Sequence, residues 1–218
     1  KNAIIRGAVT LASRFNPKVG CIRSWDFGKW QYPVIIDNMM NLELLFAATR
    51  ITGDSSFYKI AVAHANTTIK NHFRPDYSSF HLVDYDTLTG AVTGKVTVQG
   101  YADNSAWARG QAWGLYGFTM CYRETKDVNY LHQAEKIAAF LLSHSGIPPD
   151  HIPYWDWDLP DTAGQPRDAS AAAIMASALY ELARYSVHKK QYRAAADQLL
   201  GSLIKYYRAV PGTHHGFL

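Results

Sequence analysis

Three aspartates, Asp37, Asp103 and Asp168, recur 66 and 65 residues apart, each directly ahead of a stretch with helical periodicity. The short carboxylate of Asp accepts the orphan N–H groups of a first helical turn, so each of the three reads as a helix N-cap. The plain role of such a residue is structural, but a carboxyl group in that place can also do chemistry. Dry surroundings raise its pKa and leave it a proton to give near neutral pH, whereas a helix N-terminus lowers it. Asp37 follows the apolar run Trp30-Gln-Tyr-Pro-Val-Ile-Ile36, which holds a carboxyl group partly dry. Both influences act on it, and the sequence leaves their balance open. The second chemical group lies in Gln99–Phe118. Counting a helix from Asp103, Ser105, Arg109, Trp113 and Tyr116 share one face. Arg109 offers a planar cation suited to a carboxylate, and Trp113, one turn on, offers a flat ring suited to a sugar face. Gly110, Gly114 and Gly117 make a second, smooth face at i, i+4, i+7. Each glycine costs about 1 kcal/mol against Ala in a helix interior, and close approach of another helix is what offsets that.

Other chemistries find little support. His81 and His151 stand singly in loops, and no His-x3-His or Cys-x2-Cys spacing occurs, so neither a metal site nor a cofactor is expected. There is no Gly-x-Ser-x-Gly and no phosphate loop. Cys21 and Cys121 form no motif, and Cys121 falls on an apolar helix face. The net charge of +4 is small and scattered, which argues against nucleic acid as a partner and suits an anionic small substrate. No apolar run approaches the roughly 18 residues of a membrane helix, so no membrane partner is expected. Hydrophobic residues at 48% and charged residues at 18% describe an ordinary globular chain. The aromatic content, 6 Trp and 14 Tyr among 218 residues, calls for core packing or for ligand stacking surfaces. The knot Tyr154-Trp-Asp-Trp157 could serve either end.

The elements that must position these residues are mostly helical. Helices are expected over Lys1–Phe15, from Asp37 to about Arg50, from Asp54 to about His72, from Asp103 to about Glu124, from Asp127 to about Ser143, from Asp168 to about Ser186, and from Lys189 to about Arg208. Gly20–Pro33 reads as a loop with a short strand, and Phe80–Gln99 alternates like a β-hairpin. His144–Gln165 is a long proline-rich loop, and His214-His215 reads as tail. The 65–66 residue period, with a short turn and a second helix after each first one, describes a repeated helical hairpin. Stacked hairpins form a solenoid or a ring, and loops of this length at one end favour a ring with a decorated mouth. If the first helices line the inside, the three aspartates gather at that mouth. The helix at Lys1 reads as the second half of an earlier hairpin. The chain is therefore expected to be a single domain over residues 1–218, cut from a longer protein at both ends, with an exposed apolar face at each.

Three stretches carry a resemblance: Tyr32-Pro-Val-Ile-Ile-Asp-Asn-Met-Met-Asn-Leu-Glu-Leu-Leu45, Gln99-Gly-Tyr-Ala-Asp-Asn-Ser-Ala-Trp-Ala-Arg-Gly-Gln-Ala-Trp113, and Arg167-Asp-Ala-Ser-Ala-Ala-Ala173. They resemble the unsaturated glucuronyl hydrolase family of glycoside hydrolases, and the resemblance runs over essentially the whole chain. It implies an all-α fold, an (α/α)6 toroid of six helical hairpins, of which three and a half are present. It also implies a substrate, an oligosaccharide left by polysaccharide lyases with a 4,5-unsaturated glucuronic acid at its non-reducing end. The implied reaction hydrates the C4–C5 vinyl ether, after which the hemiketal rearranges and the sugar leaves. By the same resemblance Asp37 is the catalytic group that protonates C4 and activates water; Asp103 is next in line because it is read as the cap of the helix that carries Arg109 and Trp113. His81, Thr97, Gln99, Arg109 and Trp113 fall around the bound uronate. Lys95 falls where the family often carries glycine. The family's second aspartate lies upstream of Asp37, outside this chain. The alternatives are an unsaturated rhamnogalacturonyl hydrolase and a non-catalytic carbohydrate-binding helical ring. A bacterial cytoplasmic or periplasmic setting and any oligomeric state stay open.

Overall fold

A computed structural model describes residues 1–209. Seven α-helices dominate those residues, accompanied by five short strands. In chain order they are α1 (Asn2–Ala12), β1 (Phe15–Asn16), β2 (Cys21–Ile22), β3 (Pro33–Ile35), α2 (Asn38–Thr52), α3 (Ser55–His72), β4 (Leu82–Tyr85), β5 (Val92–Val96), α4 (Ala108–Thr125), α5 (Val128–Ser143), α6 (Ala169–Leu182) and α7 (Lys189–Ser202). A π-helical turn, Leu203–Tyr207, continues α7. His214 and His215 lie outside the described residues.

The helices form the expected hairpins α2–α3, α4–α5 and α6–α7. The first two hairpins turn by the same local device. Gly53 and Lys126 each adopt the left-handed conformation after the first helix, with φ of 76° and 62°. Each returns its N–H to a carbonyl of the last turn, Thr49 and Tyr122 respectively. The aspartate that follows caps the second helix, Asp54 through Ser56 N and Asp127 through Asn129 N. A preceding threonine hydroxyl, Thr52 or Thr125, accepts the N–H of that aspartate in both turns.

The first helices α2, α4 and α6 pack side by side, and each second helix lies on its own partner. α1 packs on α2. Val9 on α1 and Leu200 on α7 are exposed, as is Ile204 beyond it. The main core runs between the layers and includes Met39, Leu42, Leu115, Phe118, Ile137, Met175 and Leu179. Cys21 and Cys121 are both buried and free, which accords with packing.

The glycine face of α4 does what its period implies. A Cβ on Gly117 would lie 2.4 Å from Cβ of Met39, and one on Gly110 would lie 2.9 Å from Ile36. The backbone of α4 thus rests against Ile36 and Met39, the residues that flank Asp37. Gly117→Ala should force the two helices apart and lower stability by about 1–3 kcal/mol. For a chain of this size that is a fall of several degrees in melting temperature, about 2–4 °C per kcal/mol, read by thermal denaturation.

Two expectations about helix starts are corrected. α4 begins at Ala108, five residues after Asp103, and Asp103 does not cap it. Its carboxylate accepts the Thr97 N–H at 2.8 Å instead. Residues 101–106 stay uncoiled because distant carboxylates take their donors. Asp156 accepts the Tyr101 N–H and the Ser105 hydroxyl, and Asp158 accepts the Ala106 N–H. Ser105 is therefore not on the α4 face with Arg109. Asp37 does stand at the N-cap position of α2, but in helical conformation and with no side-chain cap bond. Of the three spaced aspartates, Asp168 alone caps its helix.

The strands were only partly visible in the sequence. The excursion after Phe80 is the hairpin β4–β5, and β3 adds to its other edge to give an antiparallel sheet in the order β3-β4-β5. Ile35 faces Leu82, and Leu82 faces Val96. The first helix ends at Ala12, sooner than expected, because Phe15 and Asn16 pair with Cys21 and Ile22. Among the described residues no helix is long and apolar enough to cross a membrane.

Candidate active site

The site is built where the first turns of α2, α4 and α6 meet the end of β3. The Ile36 N–H extends the sheet ladder by one bond, to the carbonyl of His81. The chain then turns directly into α2, which sets Asp37 beside His81, a residue 44 positions on. Because Asp37 makes no cap bond, its carboxyl group is left to an open cleft of about 440 Å³. Gln99, Trp107, Arg109 and Trp113 line the same cleft, and Ser170, Ala173 and Ile174 close it from α6.

Burial decides the charge state of Asp37. Its side chain is 16% exposed, and Oδ2 is buried without a hydrogen-bond partner. Desolvation lifts its pKa from the ordinary carboxylate range to about 6. Its own backbone N–H and the Arg109 charge pull the other way and lose. His81 is neutral for a related reason, since burial pushes it down to about 4. Its Nδ1 faces the N–H groups of Val98 and Gln99 at 3.0 and 3.2 Å. Both are donors, so Nδ1 is the bare acceptor and Nε2 carries the proton. Nε2 stands 3.9 Å from Asp37 Oδ2, too far for a hydrogen bond, and the two atoms are not an ion pair. Trp107 packs against the His81 ring at 4.8 Å and closes it from solvent.

Arg109 is the cation of the cleft. Its Nε donates to Asp168 Oδ2 at 3.2 Å, and its guanidinium lies over the Trp107 ring at 5.2 Å. The side chain is 40% exposed, and the ion pair uses Nε, leaving the two Nη groups for an anion. Trp113 meets Tyr116 edge-on and presents its ring to the cleft. The arrangement combines a carboxyl group still able to hold a proton near neutrality, a fixed neutral imidazole, a cation and two indole rings. That is a setting for acid–base chemistry on an anionic, ring-shaped ligand.

No family model matches the chain. An unsaturated glucuronyl hydrolase of Formosa agariphila is 55% identical over 205 residues, which cover 93% of this chain and 51% of that protein. The crystal structure of an unsaturated glucuronyl hydrolase specific for heparin matches at a TM-score of 0.94 and 51% identity, covering 96% of this chain and 57% of that one. Over its own length, the chain belongs to the unsaturated glucuronyl hydrolase family. It spans about half the length of the curated relatives it matches. A mutant of the Streptococcus agalactiae unsaturated glucuronyl hydrolase, complexed with dGlcA-GalNAc6S, matches at a TM-score of 0.70 and 38% identity over 81% of this chain and 47% of that one.

Of the residues assigned from resemblance to unsaturated glucuronyl hydrolases, Asp37, Gln99, Arg109 and Trp113 share the cleft, with His81 directly behind Asp37. Thr97 and Lys95 are not among the residues lining the cleft. The Thr97 hydroxyl accepts the Gly100 N–H and shapes the turn, while Lys95 on β5 sets its ammonium 4.9 Å over the Phe80 ring. Sequence reasoning took Asp168 only as a cap and missed its hold on Arg109. The signal was present, because the 65-residue spacing places Asp168 at the same mouth as Asp37. Trp107 and Ser170 also face the cleft. Of the aromatic knot, Trp157 is buried against Phe140 and His144, whereas Trp155 is half-buried and bonds Gln165. Among the described residues no group of three or more His, Cys, Asp or Glu could hold a metal ion.

Proposed function

We propose that this chain carries the catalytic cleft of an unsaturated glucuronyl hydrolase. On this reading it hydrates the C4–C5 double bond of an unsaturated glucuronic acid at the non-reducing end of lyase-made oligosaccharides. The observation that carries the reading is Asp37, a carboxyl group raised to about 6 by burial in a cleft that also holds a cation and two tryptophans. A binding module has no need of such a group. The complex of the streptococcal relative with dGlcA-GalNAc6S supports an unsaturated uronide as ligand. The side-by-side packing of α2, α4 and α6, each backed by its partner, supports an (α/α)6 toroid in which these residues form three consecutive hairpins of a single catalytic domain.

The chemistry follows from the groups present. A vinyl ether is electron-rich at C4, so one proton donor starts the reaction. Asp37 gives its proton to C4, and the positive charge that forms at C5 is shared with the ring oxygen. The Asp37 carboxylate then takes a proton from a water molecule as its oxygen bonds to C5. The product is a hemiketal, which opens and releases the neighbouring sugar. Asp37 ends protonated as it began. Gln99 is a donor for substrate oxygens, the buried Nε2–H of His81 faces Asp37 from behind, Arg109 meets the uronate carboxylate, and Trp113 stacks on a sugar face. By the family resemblance, Lys95 on β5 and Thr97 just beyond it also belong to the substrate-binding set.

The direct test is loss of the substrate's conjugated ultraviolet absorbance on incubation with the whole protein and an unsaturated disaccharide. Bleaching supports the reading, and binding without bleaching sinks it. Arg109→Ala should raise KM about 10- to 100-fold, the worth of a charge-assisted bond to the uronate, with a smaller effect on kcat. Initial-rate kinetics check this, and an unchanged KM would remove Arg109 from the binding set.

A further inference from the structure

We propose that Asp168 is a positioning residue, which holds the Arg109 guanidinium where the substrate carboxylate is met and keeps it off Asp37. The inference rests on the function proposed above and adds a residue to it. Asp168 is buried, and its two carboxylate oxygens do separate jobs. Oδ1 accepts the Ala171 N–H at 2.8 Å and caps α6. Oδ2 accepts Nε of Arg109 at 3.2 Å. Its main chain is anchored as well, with the N–H on the Pro153 carbonyl at 2.8 Å and the carbonyl accepting the Ala172 N–H at 3.1 Å. The carboxylate is therefore a fixed post, and the half-exposed arginine is the movable partner.

Arg109 has two carboxylates within the reach of its charge. The groups that face Asp37 are His81, just ahead of β4, and Arg109 from α4, and Asp168 at the N-cap of α6 acts on it through Arg109. Asp37 is the acid among the residues lining the cleft. Released from Asp168, the guanidinium would settle on Asp37, favour its ionised form and take away the proton that the reaction uses. It would also leave its place over Trp107, where the ion pair through Nε keeps both Nη groups turned to a ligand. A cap alone would call for any short acceptor. The second oxygen, aimed across to α4, is what a merely structural role leaves unexplained.

Asp168→Asn and Asp168→Ser both retain an oxygen able to cap α6 while removing the charge that holds Arg109. In the whole protein, with an unsaturated disaccharide as substrate, KM should rise about tenfold and by more than kcat falls. The alkaline limb of the kcat/KM profile should also move to lower pH, since Asp37 would ionise more easily. A lost helix cap predicts neither change. Reaction of Arg109 with phenylglyoxal, followed by peptide mass spectrometry, reads the same contact without substrate and should be faster in both variants. Wild-type KM and an unmoved alkaline limb in both variants would overturn the proposal, and so would an unchanged rate of Arg109 modification. Faster modification in the variants of a protein that never bleaches the substrate would instead uphold the role of Asp168 and count against the function.

Discussion

Asp37→Asn should abolish hydration and, at neutral pH, make the protein more stable. The amide keeps the shape of the carboxyl group but cannot deliver or take a proton, and loss of a general acid costs about 10²- to 10⁴-fold in rate. Substrate binding should survive, because Arg109, Gln99 and Trp113 are untouched. No helix cap is lost either, since Asp37 makes no cap bond to α2. The stability gain follows from linkage. Burial raises the folded pKa of Asp37 to about 6, so between the unfolded value of about 4 and that point the native state binds the extra proton. Wild-type stability therefore falls as pH rises through this window, and above it the full cost of a buried charge remains. At about 1.4 kcal/mol per pKa unit, that cost is on the order of 3 kcal/mol as an upper figure. The variant should melt several degrees higher than wild type at pH 7.5 and at nearly the same temperature at pH 4.5. If it bleached the substrate's absorbance at the wild-type rate, the assignment of Asp37 would be wrong. Asp103 is a poor replacement, because its carboxylate is committed to the Thr97 amide.

Acid should unfold this protein steeply, through three histidines buried in neutral form. His64, His72 and His81 are pushed down by desolvation to about 3, 4 and 4. The partners of the first two fit a neutral ring, with His64 Nδ1 accepting the Ile22 N–H and His72 Nε2 on the Val34 carbonyl. Each folded pKa lies below the unfolded value of about 6.5, so between those values the unfolded chain binds protons that the native one refuses. Stability is fully present above pH 6.5 and is lost as pH falls toward 4. Asp37 works in the opposite sense over part of that range, so near pH 5 the net uptake on unfolding should be about two protons. The unfolding free energy from denaturant titration should then fall by about 3 kcal/mol per pH unit around pH 5. A total stability of about 5–15 kcal/mol cannot survive many such units. A flat profile between pH 4.5 and 6.5 would show that these imidazoles are not buried neutral.

The hairpins were legible in the chain because their determinants are local. A left-handed residue followed by a capping aspartate closes α2–α3 and α4–α5, and each signal spans a few residues. The glycine spacing of α4 was equally readable, since i, i+4, i+7 puts the three on one face whatever packs there. Family-like motifs around Asp37, Arg109 and Trp113 could be read for the same reason. They lie within single turns or single loops.

The sequence by itself determined the hairpin period, the close contact face of α4 and the candidate side chains for the cleft. Tertiary structure alone decided where those side chains meet and what surrounds them. Asp103 failed as a cap because Asp156 and Asp158, more than fifty residues on, claimed the donors of the segment that would have coiled. Pairing of β3 with β4 set His81 behind Asp37, and one oxygen of Asp168 reached from α6 to Arg109 on α4. The contest over Asp37 between a dry wall and a helix terminus was likewise settled in space. Desolvation depends on every atom packed around a group, whereas a cap or a period depends on its nearest neighbours along the chain.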